Sequence, residues 1–145
     1  MCGIWGLLSL KSIKNFNLNI FYDKFNQIQY RGPDKSTFIN TSNYLIGFHR
    51  LAIMDLSIQG DQPFSHSYYF TNDLDEKILR TVYVICNGEI YNAEDVKKKL
   101  VLEKWDGHSD CEMIGPWLRQ FVENPSTSVK EVMDHFDGVY AGVYL

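Results

Sequence analysis

The chain has 145 residues, of which 45% are hydrophobic and 22% charged, and its formal net charge is −4. This length fits one domain with a real core, and the acidic balance excludes nucleic acid as the main partner, because the only basic run is Lys97-Lys98-Lys99. The N-terminus lacks a basic leader and a long apolar run, so we expect no membrane span and a cytoplasmic protein.

The first half of the chain alternates strand signals with one helix signal. Residues 18–30 predict a helix, because apolar side chains recur there at helical spacing. The polar segment 71–80 predicts a hairpin loop. Apolar or alternating runs predict strands at residues 2–9, 36–40, 44–54, 67–70 and 81–86.

Two capping signals follow in the second half. Asn92 is placed to cap a helix over 93–102. Ser109, with Glu112 three residues later, predicts a capping box for a helix over 110–123.

The last part of the chain predicts a disturbed helix, a further helix and a strand. Pro116 removes a helical hydrogen bond, so we expect a kink or break near residues 112–116. A helix over 126–135 and an alternating strand over 139–145 follow. Because a terminal strand needs a partner, we expect the natural fold to continue beyond this sequence. The residues of the last helix expected to face inward are Val129, Val132 and Met133.

Cys2 is the residue with the most informative chemistry. Removal of Met1 would leave a thiol and a free α-amine on one residue, with pKa values of about 8.5 and about 7.7–8.0. A nucleophile would then carry its own base. A cysteine near a β-rich start is more often a small buried apolar residue, so the rest of the sequence has to supply a site. The three cysteines and four histidines show no disulfide or metal-ligand pattern, and we expect neither.

Two segments contain an arginine in a distinctive setting. Arg31-Gly32-Pro33-Asp34 has turn chemistry, and a turn that ends the first helix explains it at least as well as a substrate contact. Arg50 lies in an apolar run and needs an anion, for which its planar fork suits a carboxylate. That carboxylate belongs either to a substrate or to a structural ion pair.

Asn87, Gly88 and Asp110 are further candidates. Asn87 and Gly88 follow the most apolar strand, where we expect the backbone to leave the sheet. A side-chain amide beside a glycine N–H can hold an oxyanion, although a plain Asn-Gly turn is the simpler interpretation. Asp110 is expected in the first turn of its helix, where the helix dipole favours a carboxylate in any case.

The combination and order of these segments resemble one family. The chain resembles the glutaminase domain of class II glutamine amidotransferases, and most closely the N-terminal domain of glutamine-hydrolysing asparagine synthetases. The resemblance spans nearly the whole chain. Its segments are Met1-Cys2-Gly3-Ile4-Trp5, Arg31-Gly32-Pro33-Asp34, Gly47-Phe48-His49-Arg50-Leu51-Ala52-Ile53-Met54-Asp55, Gln62-Pro63, Asn87-Gly88-Glu89-Ile90-Tyr91-Asn92, Ser109-Asp110-Cys111-Glu112 and Phe136-Asp137-Gly138.

The resemblance implies an α+β fold of the N-terminal nucleophile hydrolase type, an αββα sandwich of two antiparallel sheets between helical layers. Residues 1–145 would form one glutamine amidotransferase type 2 domain, incomplete at its C-terminal end. The implied partners are glutamine and a synthetase domain or subunit that receives ammonia. No cofactor is expected in this chain, because ATP and Mg²⁺ belong to the synthetase domain and no Gly-rich phosphate loop is present.

The resemblance also implies roles in a reaction. Cys2 would attack the side-chain amide carbon of glutamine, and its α-amine would move the proton. The oxyanion would be bound by the Asn87 side chain and the Gly88 N–H. Ammonia would leave, and water would release glutamate.

The same resemblance implies a binding site for the charged ends of glutamine. Arg50 would bind the α-carboxylate, and Asp110 with Glu89 the α-ammonium. Backbone groups near Leu51 and Ile53 would add contacts.

The remaining segments have supporting roles in this interpretation. Arg31 and Asp34 would order a loop over the pocket, and Cys86 and Cys111 would be small packing residues. Pro116 departs from the family pattern and would displace Asp110 if it altered the first turn of the helix.

Two other functions stay open at this level. The chain would equally serve as the glutaminase module of another ammonia-transferring enzyme. As a truncated domain, it would alternatively bind glutamine or a partner without turnover.

Overall fold

The computed structural model describes residues 1–13, 16–72, 74–100, 104–105, 107–122 and 128–145. Short 3₁₀ turns lie at Gln29–Arg31 and Ile58–Gly60. The strands and helices, in chain order, are β1 (Gly3–Leu8), α1 (Leu18–Asn26), β2 (Lys35–Asn40), β3 (Tyr44–Arg50), β4 (Phe64–Thr71), β5 (Lys77–Ile90), α2 (Ala93–Lys99), α3 (Ile114–Val122), α4 (Val129–Met133) and β6 (Gly138–Tyr144).

The described strands form two antiparallel, three-stranded sheets. The first sheet has the order β1-β3-β2 and the second the order β4-β5-β6. Strand β5 is much longer than β4, which covers it only as far as the pair Phe64–Val84. Strand β6 pairs with the remaining part of β5, from Val84 to Ile90. One edge of β5 beyond Val84 is therefore not covered by β4.

The inner faces of the two sheets pack against each other. Side chains alternate between faces along a strand, and Ile46 and Phe48 of β3 share a buried cluster with Ile85 of β5. The opposite face of β5 carries Val84 and Cys86, which pack with residues of the three C-terminal helices. The helical residues in that cluster include Val96, Ile114, Trp117 and Val132.

Helix α1 covers the outer face of the first sheet. Its Phe25 is fully buried and stacks on His49, with a ring-centroid distance of 3.8 Å. A Cβ atom at Gly47 would lie only 2.5 Å from the Phe25 ring, so the glycine is what lets the ring approach β3. Together the four layers confirm the predicted αββα sandwich.

Several predicted boundaries in the first half shift. The strands predicted at 2–9, 36–40, 67–70 and 81–86 are confirmed within β1, β2, β4 and β5. The helix predicted over 18–30 ends at Asn26, and the strand predicted over 44–54 ends at Arg50. Ile53 and Met54 are exposed rather than buried. The loop predicted over 71–80 is shorter, because β5 already begins at Lys77; Asp73 lies outside the described residues.

Of the two predicted helix caps of the second half, Asn92 occupies the N-cap position of α2 but makes no side-chain cap, and Ser109 is not a cap. Asn92 precedes α2, but its side chain bonds to the backbone of His135 and Asp137 instead of capping the helix. Ser109 accepts from Cys111 N, and α3 begins only at Ile114. Both segments are held by neighbours distant in sequence, which local patterns do not reveal. Residues 101–102 and 123 of these two predicted helices lie outside the described residues.

Pro116 lies in the first turn of α3, where its missing N–H needs no helical acceptor. The break expected near 112–116 is therefore the start of the helix, and α3 continues from there to its end at Val122.

The C-terminal helix is shorter than predicted. It spans Val129–Met133 and is capped by Ser128 with a capping box to Glu131. Val132 is buried as expected, whereas Val129 is exposed, so that inward assignment is wrong. Residues 126–127 lie outside the described residues, and the strand predicted over 139–145 is confirmed as β6. Within the described ranges no helix has the length and apolar character needed to cross a membrane.

Truncation of Phe25 tests how α1 is attached. Phe25→Ala should lower the free energy of unfolding by about 3–5 kcal/mol, because it removes a fully buried ring between α1 and the first sheet. Urea unfolding followed by circular dichroism measures the change. Tyr30→Ala, at an exposed aromatic side chain, should change it by less than about 0.5 kcal/mol. Equal effects of the two substitutions would contradict this packing.

Candidate active site

One cavity, of about 410 Å³, lies where the inner faces of the two sheets end. Its walls come from the end of β3 and the following loop, the second half of β5, and the segment before α3. Every residue predicted for the site lines this cavity: Cys2, Arg50, Leu51, Ile53, Asn87, Gly88, Glu89 and Asp110.

Cys2 lies at the start of β1, on the side that faces the second sheet. The β1–β3 register, continued by one residue, places it opposite Arg50. Its Sγ accepts a hydrogen bond from Leu51 N at 3.3 Å and donates to Leu51 O at 3.6 Å. Arg31 donates from Nε to Cys2 O at 3.0 Å. These contacts hold the half-buried thiol at the cavity wall.

Asn87 and Gly88 do not leave the sheet, contrary to the prediction. Both lie inside β5, where Asn87 pairs with Ala141 and Gly88 with Tyr140. The Asn-Gly turn is excluded for the same reason. Asn87 lies two residues after Ile85 on β5, so both side chains are on the same face of the strand. The side chain of Ile85 packs against the first sheet. The Asn87 side chain is thus on the face of β5 that looks toward Cys2.

The pairing of β5 with β6 determines where the Gly88 N–H is directed. Tyr83 and Leu145 exchange two backbone hydrogen bonds, of 2.8 and 3.0 Å, and Tyr91 N donates to Asp137 O at 2.7 Å. In an antiparallel pair, hydrogen-bonded and non-bonded residue pairs alternate. Odd-numbered residues of β5 therefore donate to β6, and the Gly88 N–H is directed away from β6.

The neighbouring even-numbered amides confirm this direction. Cys86 N donates to the Gln62 side chain at 2.7 Å, and Ile90 N donates to Asp110 Oδ2 at 2.7 Å. Both acceptors lie at the edge that β4 leaves uncovered. Gly88 lies between these two residues, and in the described part of the chain neither neighbouring strand provides an acceptor for its N–H. This exposed glycine thus presents an N–H donor to the cavity.

Asp110 is placed by β5 and not by a helix dipole. It lies in the turn before α3, so the prediction of a first-turn position is wrong. Its hydrogen bond from Ile90 N uses Oδ2 and fixes the carboxylate beside the cavity. Pro116, six positions later, does not disturb this contact. Glu89 is exposed and lines the same wall of the cavity.

The buried guanidinium of Arg50 has acceptors from its own chain. Nη1 donates to Ser57 O at 2.8 Å and to Asp61 Oδ1 at 2.6 Å. Nη2 donates to Asp55 O. Arg50 thus forms the structural ion pair that the sequence allowed, with Asp61 as its partner. Arg50 also lines the cavity.

The Arg31–Asp34 segment holds the backbone around the site. Arg31 bonds to the carbonyl of Cys2, as described above, and Asp34 Oδ2 accepts from Ala52 N at 2.8 Å. Asp34 N also donates to Arg50 O. These contacts order the strand ends that carry the cavity residues.

Asp55 is a cavity residue that the sequence reasoning did not assign. Its Oδ2 accepts from His108 N at 2.7 Å, and its Oδ1 accepts from Ser57 N and Ser57 Oγ at 2.8 and 2.6 Å. Hydrogen bonds from the His108 backbone and from Ser57 lower the pKa of Asp55 from 3.8 to about 2. The local Asp-x-Ser spacing was the available signal for the Ser57 contacts, whereas nothing local indicates His108.

Cys86 and Cys111 are buried and belong to the apolar cluster under β5, as expected for packing residues. Both also line the cavity. A side-chain hydrogen bond with Cys86, followed by burial, raises the pKa of the Cys111 thiol above its ordinary range. The thiol of Cys111 is therefore neutral at physiological pH.

The αββα sandwich, with a cysteine near the N-terminus at the cavity wall and an N–H donor on the facing sheet, defines a domain of the N-terminal nucleophile hydrolase type. The chain belongs to the glutamine amidotransferase domain family, which it matches over residues 1–144.

Curated relatives agree with this assignment. The chain is 31% identical over its whole length to a glutamine-hydrolysing asparagine synthetase of Zea mays. It is 32% identical to such a protein of Brassica oleracea and 29% identical to asparagine synthetase 1 of Arabidopsis thaliana, in both cases with its full length aligned. The chain spans only 22% of each of these relatives.

Asp55 should make stability depend on pH. Because its pKa is lower in the folded than in the unfolded chain, its contribution is complete above pH 4 and is lost as the pH falls toward 2. Asp55→Asn should lower the free energy of unfolding at pH 7 by about 1–3 kcal/mol and flatten its pH dependence between 4 and 2. Denaturant unfolding at several pH values measures both. The exposed Asp23→Asn should retain the wild-type slope; an unchanged slope in Asp55→Asn would contradict the assignment.

Proposed function

We propose that this domain hydrolyses glutamine to glutamate and ammonia through a thioester on Cys2. Removal of Met1 is part of the proposal, because it frees the α-amine that acts as the base. The amine takes the thiol proton as sulfur bonds to the amide carbon, and it returns a proton to the departing ammonia. Water then attacks the thioester, which releases glutamate and restores the thiol.

The observation that carries the proposal is the Gly88 N–H, which has no acceptor from either strand neighbour among the described residues and is directed to the cavity. A tetrahedral intermediate places negative charge on the former amide oxygen, and a preorganised N–H donor stabilises that charge. The Asn87 side chain is the second donor, from the face of β5 that looks toward Cys2. Nucleophile and oxyanion donors thus come from the two facing sheets.

The two charged groups of a free amino acid need partners once water is excluded. In this proposal Arg50 binds the α-carboxylate, through a guanidinium that its backbone acceptors already hold in place. Asp110 binds the α-ammonium with Oδ1, since Oδ2 accepts from Ile90 N, and Glu89 adds negative charge at the same wall. Backbone groups of Leu51 and Ile53 complete the contacts.

The ammonia would serve asparagine synthesis from aspartate and ATP on a synthetase domain or subunit. The names of the relatives support this use of the ammonia in asparagine synthesis. The chain aligns with only about a fifth of their length. ATP and Mg²⁺ would bind to that synthetase part and not to this chain.

Labelling at Cys2 tests the nucleophile. Intact mass should show loss of Met1, and a glutamine-like diazo-ketone should attach to Cys2, as located by peptide mapping. Glutamine should protect the site, and Cys2→Ala should abolish labelling. The other cavity thiols, Cys86 and Cys111, are internal controls that should stay unmodified. Full glutaminase activity with Met1 retained would refute the proposal, and a folded domain with free Cys2 but no labelling would favour a non-catalytic binding module.

Asn87 tests the oxyanion contact. Asn87→Ala should lower kcat for glutamine hydrolysis by about 10²–10³ with little change in KM, because the donor acts mainly on charge that develops in the transition state. Glutamate formation under steady-state conditions gives both constants. Asn40→Ala, at the exposed end of β2, is the matched control and should behave like the wild type. A change in KM alone would assign Asn87 to substrate binding.

A further inference from the structure

The guanidinium proposed for the substrate carboxylate already has a carboxylate partner. Asp61 Oδ1 accepts from Arg50 Nη1 at 2.6 Å, and Asp61 Oδ2 accepts from Lys35 Nζ. The three side chains therefore form a row in which one negative charge lies between two positive charges. Their exposure increases outward, from 9% for Arg50 through 18% for Asp61 to 52% for Lys35.

The position of Arg50 does not depend on this carboxylate. The carbonyl oxygens of Ser57 and Asp55 accept from its two terminal nitrogens. The backbone at Gly60 packs against the guanidinium so closely that a Cβ atom there would lie 2.4 Å from Nη2. Asp61 thus adds negative charge to a cation that the backbone already holds.

That negative charge persists at neutral pH. Burial opposes ionisation, but hydrogen bonds from Lys35 and Arg50 outweigh it and lower the pKa of Asp61. An ionised group bonded directly to Arg50 weakens the attraction of that guanidinium for any second anion, and the effect is strong where water is largely excluded. Lys35 draws the same charge in the opposite direction, toward solvent.

We propose that Asp61 sets the affinity of the glutamine site, as an internal carboxylate that competes with the substrate α-carboxylate for Arg50. This inference rests on the proposed function. Glutamine and glutamate carry the same α-carboxylate, so Asp61 weakens the binding of both and aids release of the product. Lys35 modulates the competition by binding the second oxygen of Asp61.

Steady-state kinetics of glutamine hydrolysis and calorimetric binding of L-glutamate test the competition. Asp61→Asn should lower the KM for glutamine and the Kd for glutamate about fivefold, with kcat within about twofold of the wild type. The α-amide of glutamine lacks the carboxylate, so its kinetic constants should not change. Asp95→Asn changes the net charge equally, at an exposed pair with Lys98, and should have no effect. A raised or unchanged KM in a folded Asp61→Asn protein would overturn the proposal.

Lys35 provides a second variant that leaves the Arg50–Asp61 pair intact. Lys35→Met should raise the KM and the glutamate Kd about threefold, because Asp61 is then drawn only by Arg50. In the Asp61→Asn background the same substitution should have less than half of this effect on a free-energy scale, since Lys35 acts through Asp61. Equal effects in both backgrounds would assign Lys35 a general electrostatic role and overturn the competition. If Asp61→Asn does not fold, an unchanged KM in Lys35→Met overturns it and a raised KM supports it.

The two readouts separate this inference from the proposed function. Glutamate binding that tightens in Asp61→Asn, in a protein that does not hydrolyse glutamine, would support the competition while refuting catalysis. Turnover with an unaltered KM in Asp61→Asn would support catalysis and refute the competition. If the wild type shows no turnover and no glutamate binding, both the proposed function and the competition are overturned.

Discussion

The site depends on the alternating geometry of β5. One face of this strand packs against the first sheet through Ile85, and the other packs against the helices through Val84 and Cys86. Its odd-numbered amides bond to β6, so its even-numbered amides point to the edge that β4 leaves uncovered. A single strand therefore places an amide side chain toward Cys2 and a backbone donor toward the same cavity.

The loop between β3 and β4 brings the charged groups to this edge. Asp55 connects that loop to the segment before α3 through His108 N, and Asp110 connects the same segment to β5 through Ile90 N. The Arg50 guanidinium and the Asp110 carboxylate thus line one cavity, and each is held by hydrogen bonds to backbone groups. In the proposed function, the anionic and cationic ends of glutamine each meet one of these groups, which then needs little rearrangement.

The predictions succeeded where a pattern is local. The existence of each strand was predicted correctly, although some bounds shifted, because alternation depends only on neighbouring residues. The break expected near Pro116 corresponds to the start of α3. Errors occurred where a side chain has a distant partner. Asn92 bonds to the backbone at His135 and Asp137 instead of capping α2, and Ser109 lies in a segment tied to Asp55 and β5 instead of a helix. For Asn92 a tertiary hydrogen bond replaces the local one that the pattern suggested, whereas Ser109 makes a different local bond, which it accepts from Cys111 N.

The sequence by itself determined the family, the four-layer architecture and eight of the residues that line the cavity, because these follow from residue types and their order along the chain. Only the tertiary structure decided which groups are already paired. The direction of the Gly88 N–H depends on where β4 ends and on the phase of the β5–β6 pairing, and the partner of Arg50 depends on the path of the following loop. Hydrogen bonds between groups distant in sequence set both, and no local periodicity encodes them.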